Sequence, residues 1–257
     1  MNYINNFNKY KFLLGELVKK GIRLKYRRSY LGIVWSLIEP ILTTIVLVIV
    51  FGTLFQNKDP MFPLYIIIGR LIYSSFSSGT KAASKSIRAN ASMIKKVYVP
   101  KYLYPVSSVL FNFIIFAISL IVVVLVDIYC KVVPTYHILM FIPGIILLLI
   151  LTLGVGFILA TLNVFFRDIE YLWNVILMII MYMCAIFYPA ERLLKSGYSW
   201  ILKINPLYHI ITICRNAVMG KPVDVDGLIY TIVFCFMSLI IGFVFFRKNQ
   251  DKFILHI

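Results

Sequence analysis

Acidic residues are scarce in this sequence. Ten Asp and Glu stand against 26 Lys and Arg among 257 residues, and charges of either sign make up 14%. Soluble domains carry about 25% charged residues, so an ordinary soluble fold is excluded. Near the apolar stretches the acids reduce to Glu39 and Asp127. A proton-coupled carrier wants acids inside the membrane, and this pattern counts against one. No GxxxxGK[ST] occurs, so the chain has no P-loop of its own. His137, His209 and His256 form no HExxH or other metal-ligand pair, and GxSxG, Ser/His/Asp and DxD arrangements are missing. Cys130, Cys184, Cys214 and Cys235 lie far apart without CxxC, as small hydrophobes do and metal or disulfide frameworks do not. The two halves show no repeat of the kind that many secondary carriers carry. Together these absences favour a conduit over a catalyst.

What is abundant is apolar surface, at 61% of residues. A membrane span needs about 20 mostly apolar residues, and six stretches qualify: 31–55, 61–78, 105–128, 137–163, 171–189 and 228–246. The polar N-terminus argues against a cleavable signal peptide. With the N-terminus inside, the cytoplasmic segments hold 18 Lys and Arg: eight in 1–30, six in 79–104, one in 164–170 and three in 247–257. The external segments hold seven, five of them in one long loop, and Arg70 lies within a span. This positive-inside bias predicts six helices with both termini in the cytoplasm. It also accounts for the net charge of +16 without nucleic acid as a partner, because the charges border apolar spans. The fold class is therefore an all-α integral membrane protein, one domain over 1–257.

The stretch KKGIRLKYRRSYLGIVWSLIEP, residues 19–40, joins a basic segment to the first span. Before it, Tyr10, Leu13, Leu14, Leu17, Gly21 and Leu24 fall on one helical face, opposite Lys9, Glu16, Lys20, Arg23 and Arg27. That spacing predicts an interfacial helix over 8–28 with basic stems snorkelling toward phosphates. Its basic residues serve either as an anchor and topology signal or as a surface receiving an anionic, lipid-linked substrate. Span two carries Arg70, which at membrane depth faces a bundle interior or wet cavity, or else snorkels near a short span's end. Residues 79–104 predict a helix over Lys81–Ile94 whose apolar edge (Ile87, Ala91, Ile94, Val97) suits docking, followed by an extended segment before Pro100. Arg167, Asp168 and Glu170 sit at a turn, where paired charges cap helices or lock geometry. Residues 190–227 are too long for a turn and too apolar for a free loop. Asn205–Pro206 marks a helix start and Gly220 a stop, which predicts short re-entrant helices before the last span.

Four motifs in this order resemble the permease subunit of ABC type-2 exporters, of the branch (Wzm, KpsM, TarG type) exporting O-antigens, capsular polysaccharides and teichoic acids. A basic run precedes LGxxWxxxxP, with Leu31, Gly32, Trp35 and Pro40 in place. NASMIKKVYVPKYLYP is similar to the first cytoplasmic loop through Asn90, Ile94, Lys96, Pro100 and Pro105. FFRDIEYLW supplies Arg167–Asp168, and NPLYHIITICRNAVMG supplies Asn205, Pro206, Arg215 and Gly220. Arg70 departs from the pattern, where an apolar residue is expected after Gly69.

The resemblance implies a transport subunit without cofactor, forming a homodimer with two copies of a separate ATPase that binds ATP and Mg. It implies a multi-pass protein of a bacterial cytoplasmic membrane, moving a glycan on a polyprenyl diphosphate carrier. The 81–97 segment would hold the coupling helix, with Ile87, Arg88, Asn90, Ile94, Lys95 and Lys96 as contacts. Spans one and five would line the channel. Arg23, Lys25, Arg27 and Arg28 would attract the diphosphate headgroup. Trp35, Phe51, Phe55, Tyr171, Trp173, Tyr182, Phe187 and Tyr188 offer faces over which sugars slide, with Arg70 beside them, although Trp and Tyr at span ends also form interfacial belts. Alternatives are export of a drug or small lipid by the same architecture, or a membrane-embedded lipid- or glycan-processing enzyme.

Overall fold

Helices stand at all six apolar stretches, and every regular element among the described residues is helical. The computed structural model describes residues 3–27, 29–56, 59–97, 99–133, 135–195 and 197–256, with side chains from residue 10 onward apart from Arg192. In chain order come α1 (Tyr3–Tyr26), α2 (Trp35–Phe55), α3 (Phe62–Ala89), α4 (Ala91–Lys96), α5 (Leu103–Tyr129) and α6 (Phe141–Phe165). Then follow α7 (Ile169–Met183), α8 (Ala190–Leu194), α9 (Trp200–Ile204), α10 (Pro206–Val218), α11 (Val225–Asn249) and α12 (Phe253–His256). Short 3-10 turns lead into α2 at Gly32–Val34 and into α6 at Tyr136–Met140.

Four of these helical stretches are long and apolar enough to cross a membrane: Gly32–Phe55, Leu103–Tyr129, Tyr136–Phe165 and Val225–His256. The other two differ from expectation for opposite reasons. α3 has ample length at 28 residues, but Arg70 and its serines dilute its apolar character. It also runs past 78 through the expected loop helix and stops at Asn90, so that only the six-residue α4 stands apart. α7 is apolar but 15 residues long, about 22 Å at 1.5 Å per residue against a hydrocarbon core of about 30 Å. Residues 184–189 continue it as non-helical chain, buried through Phe187, with Ala185 in the left-handed region at φ 48°.

The helices pack around α3, α5, α6, α10 and α11. α3 turns an apolar face inward, including Leu64, Ile67, Ile68, Ile72 and Phe76. Its other face carries Arg70, Ser74, Ser77, Ser78, Lys81 and Lys85 at helical spacing. At one end, Ile87, Ile94, Tyr104, Phe157, Phe246 and Phe253 form a second cluster, with Leu17 of α1 at its edge. This end, the basic end, carries α1, α4 and α12. α1 lies along α5, with Leu14 and Val18 buried and Leu24 exposed. The apolar face is therefore rotated slightly toward Val18 from the one read in the sequence.

Proline shapes the start of α2. Pro40 has no N–H, which leaves the carbonyl four residues earlier without its helical donor. Ser119 of α5 supplies one, donating through Oγ to the Ser36 carbonyl at 2.9 Å. Beyond that pin, α2 buries only Ser36 and Thr44 and α7 only Leu177. Most of the apolar surface of both helices is uncovered by the chain itself.

Candidate transport path and coupling surface

α2 and α7 flank the polar face of α3, and the proposed channel residues distribute along them. Phe55 stacks on Phe51 at 5.9 Å, Phe51 on Phe187 at 5.1 Å, and Tyr182 meets the edge of Phe187 at 6.4 Å. This aromatic ladder lies away from the basic end and joins the end of α2 to the chain after α7. Phe187 is buried while Tyr182 is exposed, so the ladder offers its tyrosine ring and not the phenylalanine. Tyr188 turns back, its hydroxyl donating to the Tyr182 carbonyl at 2.7 Å. Trp173 donates through Nε1 to Thr80 Oγ1 at 3.0 Å and meets the edge of Phe76. Trp35 and Tyr171 stand exposed and outside the ladder. Arg70 pairs with no acid among the described residues; its Nε donates to Thr43 Oγ1 on α2 at 3.2 Å.

Of the expected headgroup surface, Arg23, Lys25 and Arg27 are exposed at the end of α1, and Arg28 lies outside the described residues. Arg23 and Arg27 share a shallow hollow with Ile22, Tyr26 and Ile33. Lys25 instead borders a cavity shared with Glu39. Desolvation there pushes its amine below the usual lysine range, with the Glu39 carboxylate opposing the shift.

At the basic end the expected coupling residues separate into two groups. Ile87 and Ile94 are buried in the chain's own cluster, and Asn90 bonds back to the Ser86 carbonyl at 2.8 Å. Their apolar edge thus packs inward. Lys95, Lys96 and Val97 are exposed. Arg88 belongs to a network missed in the sequence, centred on buried Asn163. The Asn163 amide donates to the Ser84 carbonyl (2.9 Å) and to Glu170 Oε1 (3.1 Å), while its oxygen accepts from Arg88 Nη1 at 3.2 Å. Glu170 also meets Lys85 at 2.8 Å and Arg88 at 3.6 Å. Fully paired networks of this kind fix one arrangement of their helices, here α3, α6 and α7. A lone Asn in an apolar run was the available signal, since buried amides must be paired. Arg167 and Asp168 are exposed and form no ion pair among the described residues. Glu170 is therefore the residue that locks the turn.

The Lys85 ammonium, more than any other neighbour, holds Glu170 below the usual carboxylate range, with Asn163 and Arg88 adding to it. A carboxyl lowered on folding stabilises the fold above its unfolded value of about 4.3, and that contribution disappears as pH falls through the lower folded value. Lys85 is mostly exposed, so its pair is worth at most about 1 kcal/mol. Glu170→Gln is expected to lower thermal stability at pH 7, with the gap to wild type closing as the pH drops below about 4. A constant gap over that range would remove the assignment.

The most enclosed charge is Arg215 of α10, 3% exposed. Its Nε donates to the Tyr65 carbonyl at 3.0 Å, Nη1 to Ala185 at 3.1 Å and Nη2 to Ile186 at 3.4 Å. The guanidinium carbon lies 3.4 Å from the centre of the Tyr65 ring. Asn205 adds a second tie, its Oδ1 capping α10 at Leu207 N (3.1 Å) and its amide donating to the Met183 carbonyl (3.3 Å). Backbone carbonyls released where α7 ends are thereby satisfied without water. Gly69 is needed here, because a side chain at that position would collide with Nη2 of Arg215.

Comparison with known proteins agrees with this architecture. The chain is 27% identical over 242 residues to the O-antigen export system permease protein RfbA of Klebsiella pneumoniae, covering 94% of this chain and 93% of that one. It is 28% identical over 210 residues to RfbA of Myxococcus xanthus, covering 81% of each. The polysialic acid transport protein KpsM of Escherichia coli is 24% identical over 251 residues, covering 96% of this chain and 97% of its own. The family profile described as ABC-2 type transporter matches residues 13–219. With helices of this length and apolarity, the chain is a multi-pass membrane protein and belongs to the ABC-2 type transporter family.

Proposed function

We propose that this chain is the membrane-spanning subunit of an ATP-driven exporter of a polyprenyl-diphosphate-linked surface polysaccharide in a bacterial cytoplasmic membrane. The observation that carries the reading is similarity over nearly the whole chain to permeases named for O-antigen export and polysialic acid transport. In this reading the chain spans six times with both termini in the cytoplasm. α3 and α7 join the four long apolar stretches to make six spans, and α10 is a re-entrant helix held by its own caps. Residues 184–189 carry α7 onward as irregular backbone, which membranes tolerate where protein satisfies it.

Two copies face one another through α2 and α7, whose apolar sides the single chain leaves uncovered. Sugar faces move past Tyr182 and its ladder toward the outside. Arg23, Lys25 and Arg27 gather the diphosphate headgroup at the leaflet, where each basic residue is worth about 1 kcal/mol. ATP is hydrolysed in a separate subunit, two copies per dimer, seated on Lys95, Lys96 and Val97. The Asn163–Glu170 network then transmits movement from that surface to α7.

The test is depletion in the source cell, with mass spectrometry of surface glycans and carrier lipids. Complementation uses wild type, Lys95→Glu with Lys96→Glu, or Arg23→Glu with Arg27→Glu. Loss of one surface polymer, with its lipid-linked precursor accumulating, is expected on depletion and from both variants. Unchanged glycans on depletion would overturn the reading and favour a drug or small-lipid exporter. Full rescue by either variant would remove the role given to that surface.

A further inference from the structure

A polar cavity lies within the helix bundle, with Arg70 in its wall. It occupies about 270 Å³ between α2, α3 and α5, near the lower end of small-ligand pockets at roughly 300 Å³. Its lining mixes apolar side chains with hydroxyls, among them Thr43 and Thr44 from α2 and Ser75 from α3, and with Asn112 from α5. Thr44 is 6% exposed and Ser75 4%, yet neither hydroxyl oxygen has a hydrogen-bond partner. Arg70 uses its Nε on Thr43, and its two terminal nitrogens make no hydrogen bond or ion pair among the described residues. Buried polar groups are normally paired, and an unpaired cation at membrane depth is costly. The free fork of Arg70 and two unpaired hydroxyls thus stand on residues in the wall of one space, which marks a place built for a ligand.

The chemistry of that ligand follows from the donors. Glu39 and Lys25 share the lining and offset each other, so Arg70 leaves the cavity net positive. A guanidinium fork binds carboxylate and phosphate alike. The Asn112 amide bonds back to the Ser108 carbonyl, but unpaired hydroxyls also stand on two helices, Thr44 on α2 and Ser75 on α3. That spread suits a tetrahedral oxyanion better than a planar one. The remaining hydroxyl and amide oxygens can accept from polyol hydroxyls beside it. Ser74 and Glu39 are exposed and put the mouth between α2 and the polar face of α3.

We infer that the Arg70 cavity binds a phosphodiester flanked by hydroxyls, presented by the exported polymer, so that the cargo carries phosphate in its repeating unit. This rests on the exporter reading and names its substrate class. The same chemistry exists in phospholipid headgroups such as phosphatidylglycerol, and the test separates the two sources.

The full chain in phosphatidylcholine nanodiscs is titrated with a synthetic glycerol-phosphate trimer, with maltotriose and with trigalacturonate, by calorimetry. The phosphodiester is expected to bind, maltotriose not to bind, and trigalacturonate to bind at least tenfold more weakly. Arg70→Met is expected to weaken the trimer at least tenfold. Thr44→Val and Ser75→Ala provide a control for folding, since removing an unpaired buried hydroxyl preserves or raises the thermal stability of the empty protein. Both are expected to weaken trimer binding several-fold regardless. Trimer affinity unchanged in Arg70→Met, or unchanged in both hydroxyl variants, would overturn the site. Equal binding of maltotriose or trigalacturonate would overturn the phosphodiester. Loss of trimer binding when nanodiscs contain phosphatidylglycerol would assign the cavity to lipid and remove it from the cargo. Because the assay needs neither ATPase nor export, trimer binding with unchanged surface glycans on depletion would keep the cavity and discard the exporter.

Discussion

Arg215→Met is expected to destabilise the protein by about 3–5 kcal/mol, read as a fall in the thermal midpoint of the detergent-solubilised chain. Methionine keeps an unbranched apolar stem but lacks the guanidinium, so part of the loss is the space that group filled against Tyr65. Also lost is the set of donors to the Tyr65, Ala185 and Ile186 carbonyls. An unpaired buried acceptor costs about 1–3 kcal/mol, and three lose a donor at once, partly offset because a buried charge is removed with them. Tyr65 softens the effect, because its hydroxyl also donates to Ala185 (2.9 Å) and Tyr188 (3.1 Å). Arg215→Lys is expected to recover only part of the loss, since an ammonium cannot reproduce a planar fork reaching three carbonyls. A midpoint within the equivalent of about 1 kcal/mol of wild type in Arg215→Met would show that these carbonyls find other donors.

This same corner shows what the sequence made legible and what it hid. α5, α6 and α11 follow directly from apolar runs, and the start of α10 from Asn205–Pro206. The end of α7 does not, because Cys184 to Tyr188 reads as apolar as the helix before it. It stops where donors from α10 capture its last carbonyls, a tertiary cause with no local signature. α3 failed in the opposite sense. Lys81, Lys85 and Arg88 made its second half read as a separate cytoplasmic helix over Lys81–Ile94, although Ala83 and Ile87 keep the inward face apolar through that stretch. The docking edge was legible as an edge, but nothing local says whether such an edge meets a partner or the chain's own Phe246 and Phe253. Arg70 could be singled out by cost alone, whereas Thr44 and Ser75 could not, since a hydroxyl in a membrane helix usually bonds its own backbone.

Gly242→Leu is expected to prevent stable assembly, and Gly242→Ala to cost about 2–3 kcal/mol. The reason is that α6 and α11 touch backbone to backbone. A side-chain carbon on Gly242 would collide with the Gly154 carbonyl, and one on Gly154 would lie 2.6 Å from both Leu239 N and Ser238 C. Flexible side chains can move aside at modest cost, but helical backbone atoms cannot without separating the axes. Overpacking typically costs 1–3 kcal/mol, and small residues permit such close helix contacts in membranes. The seam also holds Phe157 against Phe243 and Phe246, with ring centres 5.7 and 5.3 Å apart. Forcing the helices apart would open the cluster that receives Ile87 and Ile94. Thermal melts of both variants check this, and Gly242→Ala at or above wild-type stability would contradict it. The placement has a functional sense within the exporter reading. Tight glycine contact makes α6 and α11 a fixed frame, against which the sparsely buried α2 and α7 are the helices free to move when the channel opens.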